Sequence, residues 1–344
     1  MGQEHYGRLL AGSVDDFHRA YTRFEAQPID WDLLNGERTR PAPRQRTIAR
    51  PVSVTGPGTF LGQATRTLKL EPTDLEGWWF LRDDLPDSLP VRVSIRNVWT
   101  TGDIVSNIVL RSGPPQNYIR MVEHIIALRL GLDVDNLLIR MESGDPPLFN
   151  RGSMDLVDTL QSAGLRETDR AVPYVTAKET VSIATPGGNL LILQPAAPGD
   201  HSLTVDVAID FPTAIGKQRI RFRFDRERFI YGAAARTNTS FIKMLYCKTV
   251  GKIFADIRNL GYSMENILVA SRWGYVNEAK LLHDGKSLEA CWHRATLDLL
   301  AALALVEEGR LCGHVISYRA GHNLDCQFVR LLCKHELLQP HPVA

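Results

Sequence analysis

The chain has 344 residues, of which 44% are hydrophobic and 23% charged, so it can bury a substantial core as one large domain or two smaller ones. Its net charge of +1 gives no reason to expect a nucleic acid, a membrane surface or an acidic partner. The sequence has no signal-peptide pattern, no apolar run of membrane-spanning length and no CxxC pair among its five cysteines, so we expect a reduced, soluble, cytoplasmic protein without stable membrane insertion.

Residues 1–44 are predicted to form an N-terminal extension, with a short amphipathic helix at Val14–Phe24 and then a linker-like stretch. The remainder is predicted to be an α+β protein with two related halves, residues 45–168 and residues 169–344, each a small β-sheet with packed helices. In the first half the predicted strands are Thr47–Val54, Arg66–Leu70, Val91–Asn97 and Asn136–Met141, and the predicted helices are Tyr118–Leu130 and Met154–Ala163, the latter stopped by Gly164. In the second half the predicted strands are Glu179–Ala184, Leu190–Gln194, Leu203–Ile209, Ile220–Phe224, Ile267–Ala270 and His314–Tyr318, and the predicted helices are Thr239–Leu260, Leu288–Glu308 and Asn323–Leu332.

The first candidate site is Glu123 beside His124, in the predicted helix that begins at Tyr118. A glutamate next to a histidine can place a general base beside a metal ligand. A surface ion pair is the alternative, and these residues alone favour it.

The second candidate site is the segment 292–298, which contains His293, Arg294 and Asp298. In an α-helix His293 and Asp298 would point about 140° apart, which suits one metal poorly unless the helix carries a bulge or His293 precedes its first turn. Arg294 and Asp298 are four residues apart, and a salt bridge between them is the simpler interpretation.

Two further positions are weaker when taken alone. His322 lies in a glycine-marked turn between a predicted strand and a predicted helix, where an exposed imidazole could do acid–base work or simply begin the helix. Thr237 could donate a hydrogen bond to a developing oxyanion, while Asn238 or Thr239 could cap the helix predicted to follow.

Taken in order, these segments resemble the UDP-3-O-acyl-N-acetylglucosamine deacetylases over about residues 45–334. The matching motifs are Gln45-Arg46-Thr47-Ile48, Val54-Thr55-Gly56-Pro57-Gly58, Val122-Glu123-His124 with Leu130-Gly131-Leu132-Asp133, Leu148-Phe149-Asn150-Arg151-Gly152-Ser153, Ile209-Asp210-Phe211-Pro212, Ala235-Arg236-Thr237, Leu260-Gly261-Tyr262-Ser263 and Gly321-His322-Asn323-Leu324. The order and spacing of the series carry the resemblance, since no single motif is specific.

The resemblance implies two α+β halves packed helix to helix around an active site, and zinc-assisted hydrolysis of an acetamide on an acylated UDP-glucosamine, a small-molecule substrate of lipid A synthesis. The residue roles that it implies are Glu123 as general base, His124, His293 and Asp298 as zinc ligands, Thr237 as oxyanion donor and His322 as the second acid–base group.

The sequence departs from the family at the second ligand. Without a gap, the family's second zinc histidine falls on Arg294, and keeping His293 requires a one-residue insertion before Asp298. The family's aspartate one turn beyond the aspartate ligand falls on Ala301 or Ala302.

Two other functions remain open from the sequence. One is a zinc-free binding or regulatory protein on the same scaffold, in which Arg294 pairs with Asp298. The other is a metal-independent enzyme that uses Glu123 and His322. The sequence does not indicate the oligomeric state.

Overall fold

The structure is a computed structural model, and it describes residues 6–35, 41–58, 64–102, 106–241 and 263–343. The strands in chain order are β1 (Arg8–Ala11), β2 (Trp31–Leu33), β3 (Arg44–Ile48), β4 (Val52–Pro57), β5 (Thr65–Glu71), β6 (Trp78–Arg82), β7 (Val91–Arg92), β8 (Val98–Thr100), β9 (Val109–Arg111), β10 (Tyr118–Ile119), β11 (Leu137–Met141), β12 (Leu165–Ala171), β13 (Tyr174–Ala177), β14 (Val181–Ala184), β15 (Leu190–Gln194), β16 (Leu203–Asp210), β17 (Lys217–Arg223), β18 (Thr237–Ser240), β19 (Ile267–Ala270), β20 (Leu282–His283), β21 (Lys286–Ser287), β22 (Arg310–Leu311), β23 (Gly313–Tyr318) and β24 (Leu338–Pro340).

The α-helices are α1 (Val14–Glu25), α2 (Glu123–Gly131), α3 (Met154–Ala163), α4 (Arg226–Ala233), α5 (Glu289–His293), α6 (Leu300–Leu303) and α7 (His322–Lys334). A 3₁₀ turn occupies Ile95–Asn97, and a π-helical turn at Arg294–Leu299 joins α5 to α6. We call α5, the π turn and α6 together the composite helix, residues 289–303. In the part of the chain described here, no helix is long and apolar enough to cross a membrane.

The first half contains a five-stranded sheet in the order β4-β5-β11-β6-β7. Only β11 and β6 run parallel, with Leu137 opposite Trp78. Alternate residues of both strands are buried, because successive side chains of a strand point to opposite faces and one face covers the core.

The second half contains a seven-stranded sheet in the order β1-β14-β15-β23-β16-β17-β2. Its strands β14, β15 and β23 are buried along almost their whole length. This burial reflects cover on both faces: α1 packs on one, and α5 and α7 contact strands of the same sheet.

Helices from residues 45–168 and helices from residues 169–344 meet in one continuous core. The composite helix packs against α2 and α4, and α6 also packs against α7. Arg310 of β22 reaches across to the first half, with its guanidinium 2.6 Å from Asp133 and 2.9 Å from Asp135. The α+β architecture expected from the sequence is therefore confirmed.

Several predicted elements are correct at both ends, and others need correction. The helix Met154–Ala163 and its stop at Gly164, where φ is +67°, are as predicted. The helix predicted from Tyr118 instead begins at Glu123, because Met121 has a φ of +55° that no α-helix contains. The predicted strand Thr47–Val54 is broken into β3 and β4, and Val91–Asn97 into β7 and the 3₁₀ turn.

The helix predicted at Thr239–Leu260 is wrong at its start, since Thr239 lies in β18, which runs parallel to β19. Ser240 also lies in β18, while residues 242–260 of that helix and Leu260-Gly261-Tyr262 of the family motif lie outside the described residues. The capping alternative for Asn238 and Thr239 is also wrong, because both belong to β18. Helix α4 was not predicted from the sequence, which indicated only the strand Ile220–Phe224 before it.

Candidate active site

A cavity of about 190 Å³ lies where helices and strands of the two halves meet. All six residues singled out in the sequence line it: Glu123, His124, Thr237, His293, Asp298 and His322. They come from four chain segments separated by up to about two hundred residues, so the fold rather than local sequence brings them together.

The spacing problem between His293 and Asp298 is solved by the π turn at Arg294–Leu299. A π-helix bonds residues five apart, so side chains five apart lie on one face, as side chains four apart do in an α-helix. Nδ1 of His293 is accordingly 3.4 Å from Oδ1 of Asp298. The helical bulge that would let His293 and Asp298 share one face is therefore present.

Asp298 lies between two imidazoles. Its Oδ1 atom is 3.4 Å from Nδ1 of His293 and 3.4 Å from Nε2 of His322. Burial on its own would raise the pKa of Asp298, but His293, His322 and Arg294 together lower it below its usual value. Asp298 is therefore an anionic centre that lies between both rings.

Two imidazole nitrogens converge on the hydroxyl of Thr237. Nε2 of His124 is 3.1 Å from Nε2 of His293, and Oγ1 of Thr237 lies 3.4 Å from the first and 3.0 Å from the second. Burial, followed by the charge of His293, lowers the pKa of His124 to about 3, so this ring stays neutral. A neutral imidazole is the form that binds a metal.

Glu123 begins α2 and is 4% exposed. Its Oε2 atom accepts a hydrogen bond of 3.1 Å from the backbone N–H of Ile108. Burial raises its pKa, and the nearby His322 partly offsets this. A carboxyl group with a raised pKa in a polar cavity is suited to general acid–base work.

Thr237 is held by a buried ion pair that sequence reasoning missed. Nε of its neighbour Arg236 lies 2.7 Å from Oε1 of Glu289 at the start of α5, and both side chains are almost wholly buried. The pair ties β18 to the composite helix, and so ties Thr237 to His293. The buried Arg236, immediately before the site residue Thr237, is the signal that could have indicated this ion pair.

The predicted salt bridge between Arg294 and Asp298 is wrong. Nη2 of Arg294 is instead 2.5 Å from Oδ1 of Asp325 on α7 and 3.1 Å from Oγ of Ser317 on β23. The π turn causes this, because it rotates Asp298 toward His293 and leaves Arg294 facing the next helix. The guanidinium consequently does not fill the space between the two histidines.

Zinc suits these donors by their chemistry: two imidazoles, one of them held neutral by burial, and an ionised carboxylate. Among the residues that the structure describes, however, no three His, Cys, Asp or Glu side chains converge at metal-binding distances. Asp298 contacts the Nδ1 edge of His293, whereas His124 faces its Nε2 edge. In this arrangement Asp298 orients the histidine, a common role for carboxylates behind a metal ligand.

Comparison with protein families gives one match that spans most of the chain. Residues 45–334 match the model of the family described as UDP-3-O-acyl N-acetylglycosamine deacetylase. The match begins where the N-terminal extension ends and includes every residue of the cavity named above.

Curated relatives give the same result at low identity. A UDP-3-O-acyl-N-acetylglucosamine deacetylase of Bdellovibrio bacteriovorus is 28% identical over 83% of this chain and 88% of the relative. Proteins of the same name from Solibacter usitatus and Brucella ovis are 25% and 28% identical, over 83% and 85% of this chain and 90% and 96% of their own lengths. The chain is thus similar to these proteins along nearly their whole length, although most positions differ.

Proposed function

Because the chain belongs to the UDP-3-O-acyl N-acetylglycosamine deacetylase family, we propose that it hydrolyses the acetamide of an acylated UDP-glucosamine, the reaction type of lipid A synthesis. The observation that carries this proposal is the convergence of Glu123, His124, Thr237, His293, Asp298 and His322 on one cavity. The substrate class rests on the family and on the names of the relatives.

We propose zinc as the metal, held by Nε2 of His124 and Nε2 of His293, with Asp298 as the third ligand after its carboxylate turns from the Nδ1 edge of His293 toward this pair. Bound zinc would act as a Lewis acid toward the acetamide carbonyl and lower the pKa of a water molecule. The π turn supports this assignment, since it puts His293 and Asp298 on one face of the composite helix. We also propose a cytoplasmic location for the protein, as expected from the sequence.

The protein groups around the metal position have separate tasks in this proposal. Glu123 takes the proton of the attacking water as general base, and His322, whose Nε2 lies 3.4 Å from Oδ1 of Asp298, gives a proton to the leaving amine. The hydroxyl of Thr237 donates a hydrogen bond to the oxyanion of the tetrahedral intermediate, and the Arg236–Glu289 pair keeps β18 in place.

The structure does not favour the zinc-free binding protein as the alternative. That function required the Arg294 guanidinium to replace the metal charge beside Asp298, but Arg294 pairs with Asp325. Turnover measured after metal removal distinguishes a metal-independent enzyme that uses Glu123 and His322 from the zinc enzyme.

Metal analysis of the full chain, purified without a histidine tag, tests the proposal. We expect about one zinc per chain and acetate release from a UDP-3-O-acyl-N-acetylglucosamine. Zinc should be lost in His124→Ala and Asp298→Ala and kept in His201→Ala, a partly buried histidine outside the cavity. A folded wild-type protein with neither zinc nor acetate release would refute the proposal, and turnover that survives metal removal would identify the metal-independent enzyme.

A further inference from the structure

The segment 6–35 lies before the family match and is nevertheless built into the sheet of the second half. Its strand β1 pairs with β14 and its strand β2 pairs with β17, so the two strands form the two opposite edges of the seven-stranded sheet. Between them α1 crosses the sheet, where Phe17 and Phe24 are at most 2% exposed. The extension is therefore part of the fold that presents the site.

Polar contacts fix the point where the chain leaves α1. Nη1 of Arg219 donates hydrogen bonds to the carbonyls of Phe24 at 3.1 Å and Gln27 at 3.0 Å, while its Nε and Nη2 atoms bind the carboxylate of Asp206. Asp30 accepts a hydrogen bond of 2.9 Å from the backbone N–H of Arg219. These bonds set the register in which Trp31 begins β2 opposite Ile220.

The indole of Trp31 lies in an aromatic cluster formed with Tyr231, His283 and Trp292. It stacks on His283 with ring centres 4.2 Å apart and planes at 8°. It meets Trp292 edge to face at 5.7 Å and Tyr231 at 5.6 Å. Such aromatic pairs favour a defined ring geometry beyond their apolar burial.

Trp292 directly precedes His293 in α5 and is 1% exposed. Its backbone carbonyl accepts a hydrogen bond of 2.7 Å from the hydroxyl of Thr296 inside the π turn. Any rotation of Trp292 about the helix axis therefore moves both His293 and the turn that brings Asp298 beside it.

We infer that Trp31 is a positioning residue for His293: through Trp292, the N-terminal segment fixes the rotation of the metal-binding part of the composite helix. The reason is geometric, since a metal site tolerates errors of only about 0.2 Å in its donor distances, and side chains that orient a ligand affect metal affinity about ten- to a hundred-fold. The inference rests on the proposed function in assigning a metal to His293.

The test compares two aromatic-to-leucine changes in the same segment of the full chain. Trp31→Leu removes the contact with Trp292, whereas Phe17→Leu alters a separate hydrophobic cluster in which α1 packs on β14 and β15. Zinc affinity is measured by chelator competition, and folding by circular dichroism. We expect zinc affinity to fall about ten- to a hundred-fold in Trp31→Leu, to fall by less in Trp31→Phe and to stay unchanged in Phe17→Leu.

A metal-free readout separates this inference from the proposed function. The imidazole resonances of His293, identified by their loss in His293→Asn, should shift in Trp31→Leu and stay in place in Phe17→Leu. If the wild type binds no zinc but this shift occurs, the proposed function fails and the positioning role stands. Unchanged resonances together with wild-type zinc affinity in Trp31→Leu would overturn the inference. If Trp31→Leu does not fold, zinc affinity and the His293 resonances are compared between Trp31→Phe and the wild type to test the inference. The phenyl ring is smaller than the indole and leaves part of the Trp292 contact unfilled.

Discussion

Oδ1 of Asp298 lies 3.4 Å from Nδ1 of His293, although five residues separate them in the sequence. Only a π turn brings such a pair to one face of a helix, and this turn occupies Arg294–Leu299. The π turn therefore gives this five-residue pair the same-face relationship that a four-residue pair has in an α-helix.

Deleting Ala295 should convert the π turn into an α-helical turn without loss of zinc. The deletion makes the spacing from His293 to the aspartate four residues, which also faces one side in an α-helix. Zinc content and circular dichroism of the deletion variant measure the outcome. Deleting Ala301 is the control, since α6 has no extra residue there and every following side chain would rotate by about 100°. If both deletions abolish zinc binding and folding alike, the role given to the π turn is wrong.

Glu123→Gln should lower the turnover number by about 10² to 10⁴-fold while the zinc content stays unchanged. The glutamine keeps an oxygen that can accept the hydrogen bond from the N–H of Ile108 but cannot take a proton. Steady-state acetate release and metal analysis on the same preparation give both values. Glu142→Gln is the control, because Glu142 is exposed and outside the cavity. Wild-type turnover in Glu123→Gln would remove this residue as the base.

Asp325→Ala should lower the free energy of unfolding by about 3–5 kcal/mol, because it leaves the buried charge of Arg294 without its partner. The double variant Arg294→Met with Asp325→Leu should lose less, since it removes both charges. Chemical denaturation measures each free energy. Asp74 forms an exposed ion pair with Arg166 and provides the comparison. Asp74→Ala should change the free energy of unfolding by no more than about 1 kcal/mol. Equal losses of unfolding free energy in Asp74→Ala and Asp325→Ala would contradict the burial of the Arg294–Asp325 pair.

The metal-free protein should lose stability as the pH falls from 6.5 toward about 3 because of His124. Burial lowers the pKa of this histidine in the folded chain to about 3, so in this interval the unfolded chain binds more protons at this position. The contribution of neutral His124 to stability is fully present above pH 6.5 and is lost as the pH falls toward the pKa of this histidine in the folded chain. Denaturation at several pH values, compared with His124→Asn, isolates it. Identical pH slopes in the two proteins would show that His124 is not the group responsible.

Local sequence was sufficient for the elements and residues whose signals lie within a few positions of one another. Glu123 and His124 are adjacent, Gly164 ends its helix through its own positive φ, and the strands of the sheets show regular apolar patterns. Family motifs then identified the residues that line the cavity. None of these signals depends on which distant segment packs against them.

Tertiary structure decided three features that the sequence left open or missed. Arg294 faces Asp325 rather than Asp298, the composite helix contains a π turn, and the N-terminal segment places Trp31 against Trp292. The first and the third depend on contacts between residues far apart in the chain, where burial of charge and packing of large rings outweigh local helix preference. A sequence states which groups are available, whereas the directions in which they point follow from what the rest of the fold puts beside them.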